Sequence, residues 1–361
     1  MKKILSILLA AICLVACENN SFTVSGTIER ECDTVFIRGD RTDVLYAAVP
    51  VIDGKYKWEG TSDSVFIAQV CYGDKRNAMT RIIVEPGKIE LNITKESEDA
   101  EPIVATGNVL NDQVAQYTKE ADAFFEPIMA QIKKYNELSE EEKHDVEKKY
   151  EEAENARTEY LLNVLRENSQ NIVGVYFLKE FSLGDPAQEL SEILPAMQEA
   201  FPENYWVKRV GSTVKAKMGC AVGQPYTDLT MDTPEGEKLS LSDIIPQNKY
   251  TLVDFWASWC GPCCRELPNV KAMWEKYNKL GFQVVGVSFD QKAENWKEAI
   301  ANYGLGWPQM SDLKGWECAA SAIYGINSIP ATLLVDKDGK IVAKNLRGEE
   351  LQNKLQELFG E

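Results

Sequence analysis

Two cysteines, Cys260 and Cys263, stand two residues apart where an apolar run gives way to a helical pattern. The run, residues 250–255, is apolar apart from Thr251 and Asp254, which predicts a buried strand. The residues after the cysteines follow a helical pattern to about position 280. A strand that leads into Cys-x-x-Cys at the start of a helix is typical of redox-active thiols rather than of a zinc site. The sequence therefore predicts a reversible disulfide.

The start of this helix determines the expected chemistry of the two thiols. Its first turn has unpaired backbone N–H groups and the positive end of the helix dipole. A thiolate at Cys260 would lie against both, which lowers its pKa from ~8.5 toward the ~3.5–7.5 range of such sites. Cys260 is therefore the predicted attacking thiolate, and Cys263 is the predicted resolving thiol. Asp254, in an apolar strand, is expected to have a raised pKa and to accept the proton of Cys263.

Residues 220–361 resemble the TlpA/ResA branch of the thioredoxin-like proteins, which are anchored in bacterial cell envelopes. The positions that carry the resemblance are Asp254, Trp259, Cys260, Gly261, Pro262, Cys263, Pro268, Ile329, Pro330 and Gly348. The resemblance implies a cis-proline loop opposite the cysteines. It also implies a surface for client binding, formed by Trp259, Gly261, Pro262, Ile329 and Pro330. The family usually has Lys or Arg after the second cysteine, where this chain has Cys264.

The remaining cysteines are less informative. Cys264 follows the resolving cysteine on the helix, so its side chain is predicted to point about 100° away from it, toward solvent near the site. Cys220 and Cys318 are predicted to be buried, unreactive thiols. Cys32 and Cys71 either form a disulfide or stay separate, since the sequence does not show whether they lie close together.

The N-terminus has the pattern of a bacterial export signal. Lys2 and Lys3 precede an apolar run at positions 4–15, which is too short to span a bilayer. The run leads into Leu-Val-Ala-Cys17, which resembles the cleavage box of bacterial lipoproteins. We expect residues 1–16 to be a signal peptide and Cys17 to carry a lipid anchor to the membrane, with an ordinary secretory signal as the alternative. These features favour the cell envelope, with the catalytic domain in the periplasm.

The rest of the chain predicts a multidomain protein. Residues 17–105 contain short segments rich in β-branched and aromatic residues between turn signals, which predicts an antiparallel β-sandwich. This region resembles the β-domain that often precedes thioredoxin-like domains in Bacteroidetes lipoproteins. Residues 106–217 form a predicted helical region, with a capping box from Ser139 to Glu142. Residues 218–361 alternate strands and helices around a late hairpin, as in an α/β thioredoxin-like fold.

Composition argues against several classes of function. The net charge of −17 argues against nucleic acid as a partner, since such a partner needs a basic surface. His144 is the single histidine, so a multi-histidine metal site is excluded. A zinc site of cysteine pairs is disfavoured, because Cys263 and Cys264 are adjacent while Cys220 and Cys318 stand alone. We therefore expect neither a metal nor another cofactor.

The sequence thus predicts an enzyme, a thiol–disulfide oxidoreductase that acts on disulfide-containing client proteins. The Gly-Pro pair between the cysteines matches thioredoxin, whose potential of ~−270 mV favours reduction of clients. By resemblance, the role is cytochrome c maturation or general thiol redox homeostasis, with an electron donor in the envelope. One alternative is a peroxiredoxin-like antioxidant related to AhpC/TSA, although residues 254–259 lack the proline expected before a peroxidatic cysteine. Another is a non-catalytic binding lipoprotein on a thioredoxin scaffold.

Overall fold

The structure, a computed structural model, describes residues 20–41, 44–72, 80–94 and 103–360. The predicted signal peptide at residues 1–16 and the predicted lipidation site, Cys17, lie outside these residues. Within the described residues, no helix has both the length and the apolar character needed to cross a membrane. The chain divides into two compact units, Met1–Tyr176 and Phe177–Glu361.

The first unit contains two sheets. Its strands are β1 (Ser21–Thr27), β2 (Thr34–Gly39), β3 (Leu45–Pro50), β4 (Lys55–Thr61), β5 (Phe66–Tyr72), β6 (Thr80–Val84) and β7 (Gly87–Glu90). One sheet has the order β4-β1-β7 and the other β3-β2-β5-β6. Neighbouring strands are antiparallel except β1 and β7, which are parallel. Side chains of both sheets, such as Val24 and Ile37, share one buried core. The predicted sheet-rich N-terminal region is confirmed.

Helices follow the two sheets. They are α1 (Val109–Asp122), α2 (Met129–Lys133), α3 (Glu140–Glu167) and α4 (Ile172–Leu178), the last of which spans the division between the units. Helix α1 begins where the side chain of Asn108 accepts a hydrogen bond from the N–H of Asn111. Helix α3 begins with the predicted capping box, in which Ser139 and Glu142 each accept the other's backbone N–H. The predicted helical middle is therefore confirmed.

The second unit begins with two helices and continues as alternating strands and helices. Its helices are α5 (Ala187–Ala200), α6 (Tyr205–Gly219), α7 (Gly261–Tyr277), α8 (Ala293–Tyr303), α9 (Ala319–Tyr324) and α10 (Gly348–Phe359). Its strands are β8 (Thr230–Asp232), β9 (Lys238–Ser240), β10 (Tyr250–Trp256), β11 (Phe282–Ser288), β12 (Gln309–Met310), β13 (Ala331–Asp336) and β14 (Ile341–Lys344). Strands β8 and β9 pair with each other, and the other five form a sheet in the order β12-β11-β10-β13-β14.

Strand β10 is the centre of this five-stranded sheet. It is parallel to β11 and antiparallel to β13. Every residue from Thr251 to Trp256 is buried, because elements cover both faces of the strand. The chain then passes directly from the carboxyl end of β10 into α7, and that edge of a sheet is where α/β proteins place their sites. This arrangement is the predicted thioredoxin-like fold.

Helix α6 packs against α9 within the second unit. The predicted helical region, residues 106–217, therefore contributes helices to both compact units. The division of the chain at residues 105 and 217 stays a prediction.

Candidate redox-active site

The first turn of α7 holds a disulfide between Cys260 and Cys263, with the two Cα atoms 5.2 Å apart. Cys260 is the N-cap residue of the helix, and its sulfur accepts a hydrogen bond of 3.2 Å from the N–H of Cys263. Pro262 lies in the same turn, where its missing N–H costs nothing because that group has no helical partner. The predicted pair of cysteines therefore lies at a helix start, as the sequence pattern implied.

The disulfide is nearly enclosed. Cys260 is 5 % exposed and Cys263 is 2 % exposed. The residues around it are more open: Gly261 and Pro262 are exposed, and Trp259 is 52 % exposed. We refer to Trp259, Gly261 and Pro262, the exposed residues next to the two cysteines, as the rim of the disulfide.

The predicted proline loop lies beside the disulfide. The peptide bond between Ile329 and Pro330 is cis. The carbonyl oxygen of Ile329 is 3.7 Å from the sulfur of Cys260. The guanidinium of Arg347 donates a hydrogen bond to the carbonyl oxygen of Pro330. The fold therefore brings Ile329 and Pro330 to Cys260 across a gap of about seventy positions in the chain.

Asp254 lies on β10, paired with Gly286 of β11 and Thr332 of β13. Its side chain is buried, and no hydrogen-bond donor within the described parts of the chain reaches its carboxyl group. Burial is the main cause that raises the pKa of Asp254 to about 7, the negative charge of Glu266 raises it further, and the positive charge of Arg347 opposes both. Asp254 therefore exchanges a proton near neutral pH.

Comparison with known proteins adds to this geometry. The AhpC/TSA family model matches residues 222–344, and the model "Domain of unknown function (DUF4369)" matches residues 22–114. The thiol-disulfide oxidoreductase ResA of Bacillus thuringiensis (strain Al Hakam) is 30% identical over 135 residues, which are 37% of this chain and 75% of that protein. The thioredoxin-like protein YneN of Bacillus subtilis (strain 168) is 35% identical over 129 residues, 35% of this chain and 72% of that protein.

This chain belongs to the thioredoxin-like thiol–disulfide oxidoreductases.

Solved structures with similarity to this oxidoreductase include two from Bacteroides. The thioredoxin domain of a thiol-disulfide oxidoreductase from Bacteroides vulgatus has 35% identity and a TM-score of 0.36, and the match covers 38% of this chain and 98% of that one. A thiol-disulfide oxidoreductase from Bacteroides fragilis NCTC 9343 has 34% identity and a TM-score of 0.36, and the match covers 37% of this chain and 99% of that one.

Glu266 is a site residue that the sequence reasoning missed. It lies one turn after Cys263 on α7, and its charge acts on Asp254. Its carboxylate accepts hydrogen bonds of 2.8 Å from the N–H of Gly348 and 2.7 Å from the side chain of Asn269. The backbone N–H of Gly348 thus holds Glu266 in place. The spacing of three residues from Cys263 on a helix was the signal that could have found it.

Asp290, just after β11, was also missed. It is 1 % exposed and accepts hydrogen bonds from the N–H and hydroxyl of Ser258 and from the hydroxyl of Ser288. Ser258 lies in the turn between β10 and α7, two residues before Cys260. Asp290 therefore fixes the turn that presents the disulfide. No local signal in the sequence links positions 258 and 290.

The other described thiols of the oxidoreductase are free and take no part in the disulfide. Cys264 is half-buried rather than directed to solvent, because its sulfur lies 3.5 Å from the carbonyl oxygen of Ser258 and contacts the hydroxyl of Tyr303, whose pKa is raised by the contact. Cys220 and Cys318 are buried as predicted, and burial raises the pKa of both, that of Cys318 to about 12. The remaining described cysteines, Cys32 and Cys71, are separate free thiols.

Within residues 20–41, 44–72, 80–94 and 103–360, no group of three or more His, Cys, Asp or Glu side chains is placed to hold a metal ion.

Proposed function

We propose that this oxidoreductase reduces disulfide bonds of client proteins in the bacterial cell envelope, with Cys260 and Cys263 as its dithiol. The proposal rests on the disulfide between these two residues at the start of α7, beside the cis-proline loop. This disulfide is the oxidised form that the enzyme would have after one turnover.

In the first step, the thiolate of Cys260 attacks one sulfur of the client disulfide. A bond forms between Cys260 and the client, and the other client sulfur leaves as a thiolate that takes a proton from solvent. The helix start stabilises the attacking thiolate, because the N–H of Cys263 points at the sulfur of Cys260. Cys260 is the N-cap residue of the helix and follows the exposed Trp259, which supports its role as the attacking group.

In the second step, the thiolate of Cys263 attacks the sulfur of Cys260. The mixed disulfide breaks, the intramolecular disulfide forms, and the second client sulfur leaves as a thiolate. Two electrons have then passed from the enzyme to the client. Asp254 is suited to take the proton of Cys263, because its pKa of about 7 leaves a fraction ionised at neutral pH.

The client would lie across the rim of the disulfide. Trp259, Gly261 and Pro262 are accessible there, and Ile329 brings its carbonyl oxygen next to Cys260. Ile329 and Pro330 close the opposite side of the opening. We assign these five residues to client binding.

The cellular setting is also part of the proposal. The N-terminal pattern supports a lipid anchor at Cys17, with the dithiol in the periplasm. An electron donor in the envelope would return the disulfide to the dithiol after each turnover. Cytochrome c maturation and general thiol homeostasis are the two pathways that fit this chemistry.

The test is the reduction of a disulfide-bonded protein by the purified, pre-reduced enzyme. We expect Cys260→Ser to lower the rate at least about 10³-fold, because the attacking sulfur is gone. Cys263→Ser should accumulate a mixed disulfide between Cys260 and the client, visible by mass spectrometry. Cys264→Ser is the matched control, since it removes a neighbouring thiol and should leave the rate nearly unchanged.

The reduction potential distinguishes the direction of electron flow. Measured in glutathione buffers, a value near ~−270 mV supports a reductase, whereas a value near ~−120 mV would make the protein a disulfide donor. Rapid reaction of the reduced protein with hydrogen peroxide, without any disulfide client, would instead support the peroxiredoxin-like alternative. If the Cys260/Cys263 pair showed no two-electron transition, the non-catalytic binding lipoprotein would be the hypothesis that remains.

A further inference from the structure

A groove of about 590 Å³ lies within the second unit, between α6 and the segment Trp316–Asn327. Its walls include Tyr205, Arg209 and Ser212 of α6 and Trp316, Ser321 and Asn327 opposite them. Its volume is within the ~300–1,000 Å³ range of ligand-binding clefts. Helix α6 precedes residues 222–344, which the AhpC/TSA family model matches, so one wall is contributed by a part of the chain outside that match.

The groove is continuous with the rim of the disulfide. The ring of Trp316 lies 6.0 Å, centroid to centroid, from that of Trp259, the residue before Cys260. Asn327 precedes Pro330 by three residues, and the carbonyl oxygen of Ile329 is 3.7 Å from the sulfur of Cys260. A polypeptide whose disulfide reacts at Cys260 would therefore have one of its flanking segments directed into the groove.

The two walls of the groove are held at a fixed separation. Gly325 follows α9 with a φ of 65°, and a Cβ there would lie 2.7 Å from the Cγ of Lys217 and 3.2 Å from its backbone nitrogen. The thiol of Cys220 donates to the carbonyl oxygen of Ile323 at 3.6 Å. This close approach between α6 and the end of α9 builds the groove before any client arrives.

The α6 wall is basic in a chain with a net charge of −17. The helix carries Lys208, Arg209, Lys215 and Lys217 and no acidic residue. Lys208 pairs with Glu203 and Lys217 with Asp185. Arg209 is exposed on the groove, and no acidic side chain in the described parts of the chain lies within ion-pair distance of it. Of the charged side chains that line the groove among the described residues, Lys208 is paired with Glu203, Glu317 lies on the wall opposite α6, and Arg209 is a positive charge without an ion-pair partner.

We propose that this groove binds the client segment next to the disulfide, and that Arg209 favours clients with acidic residues in that segment. The inference rests on the proposed function and adds a substrate class to it. Cys318, which also lines the groove, does not compete for the client disulfide, because burial raises the pKa of its thiol to about 12.

The experiment compares three disulfide-bonded peptides that differ only in the residues flanking one cysteine, which are Glu, Gln or Lys. With the purified, pre-reduced protein in single-turnover reactions, we expect the second-order rate constant of peptide reduction to be about tenfold higher for the Glu peptide than for the Lys peptide at low salt. The difference should shrink as salt screens the charges. Arg209→Glu should abolish or reverse this order. The control is Lys215→Glu, which changes the same charge on the same helix away from the groove and should preserve the order.

A second variant tests the groove independently of charge. Ser212→Trp places a large ring in the groove and should lower the second-order rate constant for all three peptides, whereas Lys215→Trp should not. Bis(2-hydroxyethyl) disulfide, which is small and uncharged, should be reduced at the same rate by every variant, which also shows that each is folded. Equal rates for the three peptides, or an order unchanged in Arg209→Glu, would overturn the inference while the function stands. No reduction of even the small disulfide by the wild-type protein would contradict the proposed function, and the inference with it.

Discussion

Two buried carboxyl groups lie on neighbouring strands of the five-stranded sheet, Asp254 in β10 and Asp290 just after β11. Their exposure is similar, 5 % and 1 %. Their partners differ. Asp290 accepts three hydrogen bonds, from Ser258 and Ser288, whereas no donor in the described residues reaches the carboxyl of Asp254. Asp254 has its pKa raised to about 7 by burial, with the charge of Glu266 as a second cause.

The difference shows that partners, and not burial alone, determine what a buried acid does. A carboxyl group that is buried away from solvent and receives no hydrogen bond has a raised pKa. It is uncharged at low pH and gives up its proton near neutral pH. That property suits a proton acceptor for Cys263. Asp290 accepts three hydrogen bonds, and the two from Ser258 hold the turn before Cys260. Three measurements test this contrast.

The largest expected effect is on the stability of Asp254→Asn. Below about pH 4 the acid is protonated in the folded and the unfolded chain alike. Between about pH 4 and pH 7 the folded chain keeps a proton that the unfolded chain has lost, so the stability that the protonated acid contributes is lost as pH rises. The change from 3.8 to about 7 corresponds to about 4 kcal/mol. The amide, which does not ionise, avoids this loss.

We therefore expect Asp254→Asn to be more stable than the wild type by up to about 4 kcal/mol at pH 8 and nearly equal at pH 4. Urea unfolding of the oxidised proteins, followed by tryptophan fluorescence at both pH values, measures the difference. Equal stability at pH 8 would show that the carboxyl is not the uncompensated buried acid described above.

The second effect has the opposite sign. Asp290→Asn keeps the shape of the side chain but removes the charge that accepts three hydrogen bonds, and it adds donors that face other donors. We expect a loss of about 2 kcal/mol in the free energy of unfolding at pH 8. Asp338→Asn, in the exposed turn between β13 and β14, is the control and should change stability by less than about 0.5 kcal/mol. A stabilised Asp290→Asn would remove the contrast between the two acids.

The smallest effect concerns Glu266, whose negative charge raises the pKa of Asp254. Glu266→Gln keeps an oxygen to accept the N–H of Gly348 but removes the negative charge. The pKa of Asp254 should fall below about 7, with a change in stability at pH 8 of less than about 1 kcal/mol. Carbon-13 NMR of the Asp254 carboxyl measures the midpoint of its titration. A midpoint that stays or rises would contradict the assigned repulsion.

Parts of the site could be predicted because their signals are local. Cys260 and Cys263 follow a strand and open a helix, and the N-cap geometry arises from residues within one turn. The sequence of β10 also indicated that Asp254 is buried. Glu266 was within reach of the same reasoning, because it is three residues from Cys263 on the helix. Asp290 was not, since its bonds to Ser258 join positions 32 apart.

Taken by itself, the sequence determined the disulfide pair, the strand and helix that carry it, and the burial of Asp254, because each depends on interactions among residues that are close in the chain. The tertiary structure decided which partners each buried acid meets. It also decided that α6 forms a wall beside the disulfide rim, through the close packing of Gly325 on Lys217. These features depend on the order of strands in the sheet and on contacts between distant segments, and the final environment of a charge exists only when those segments have come together.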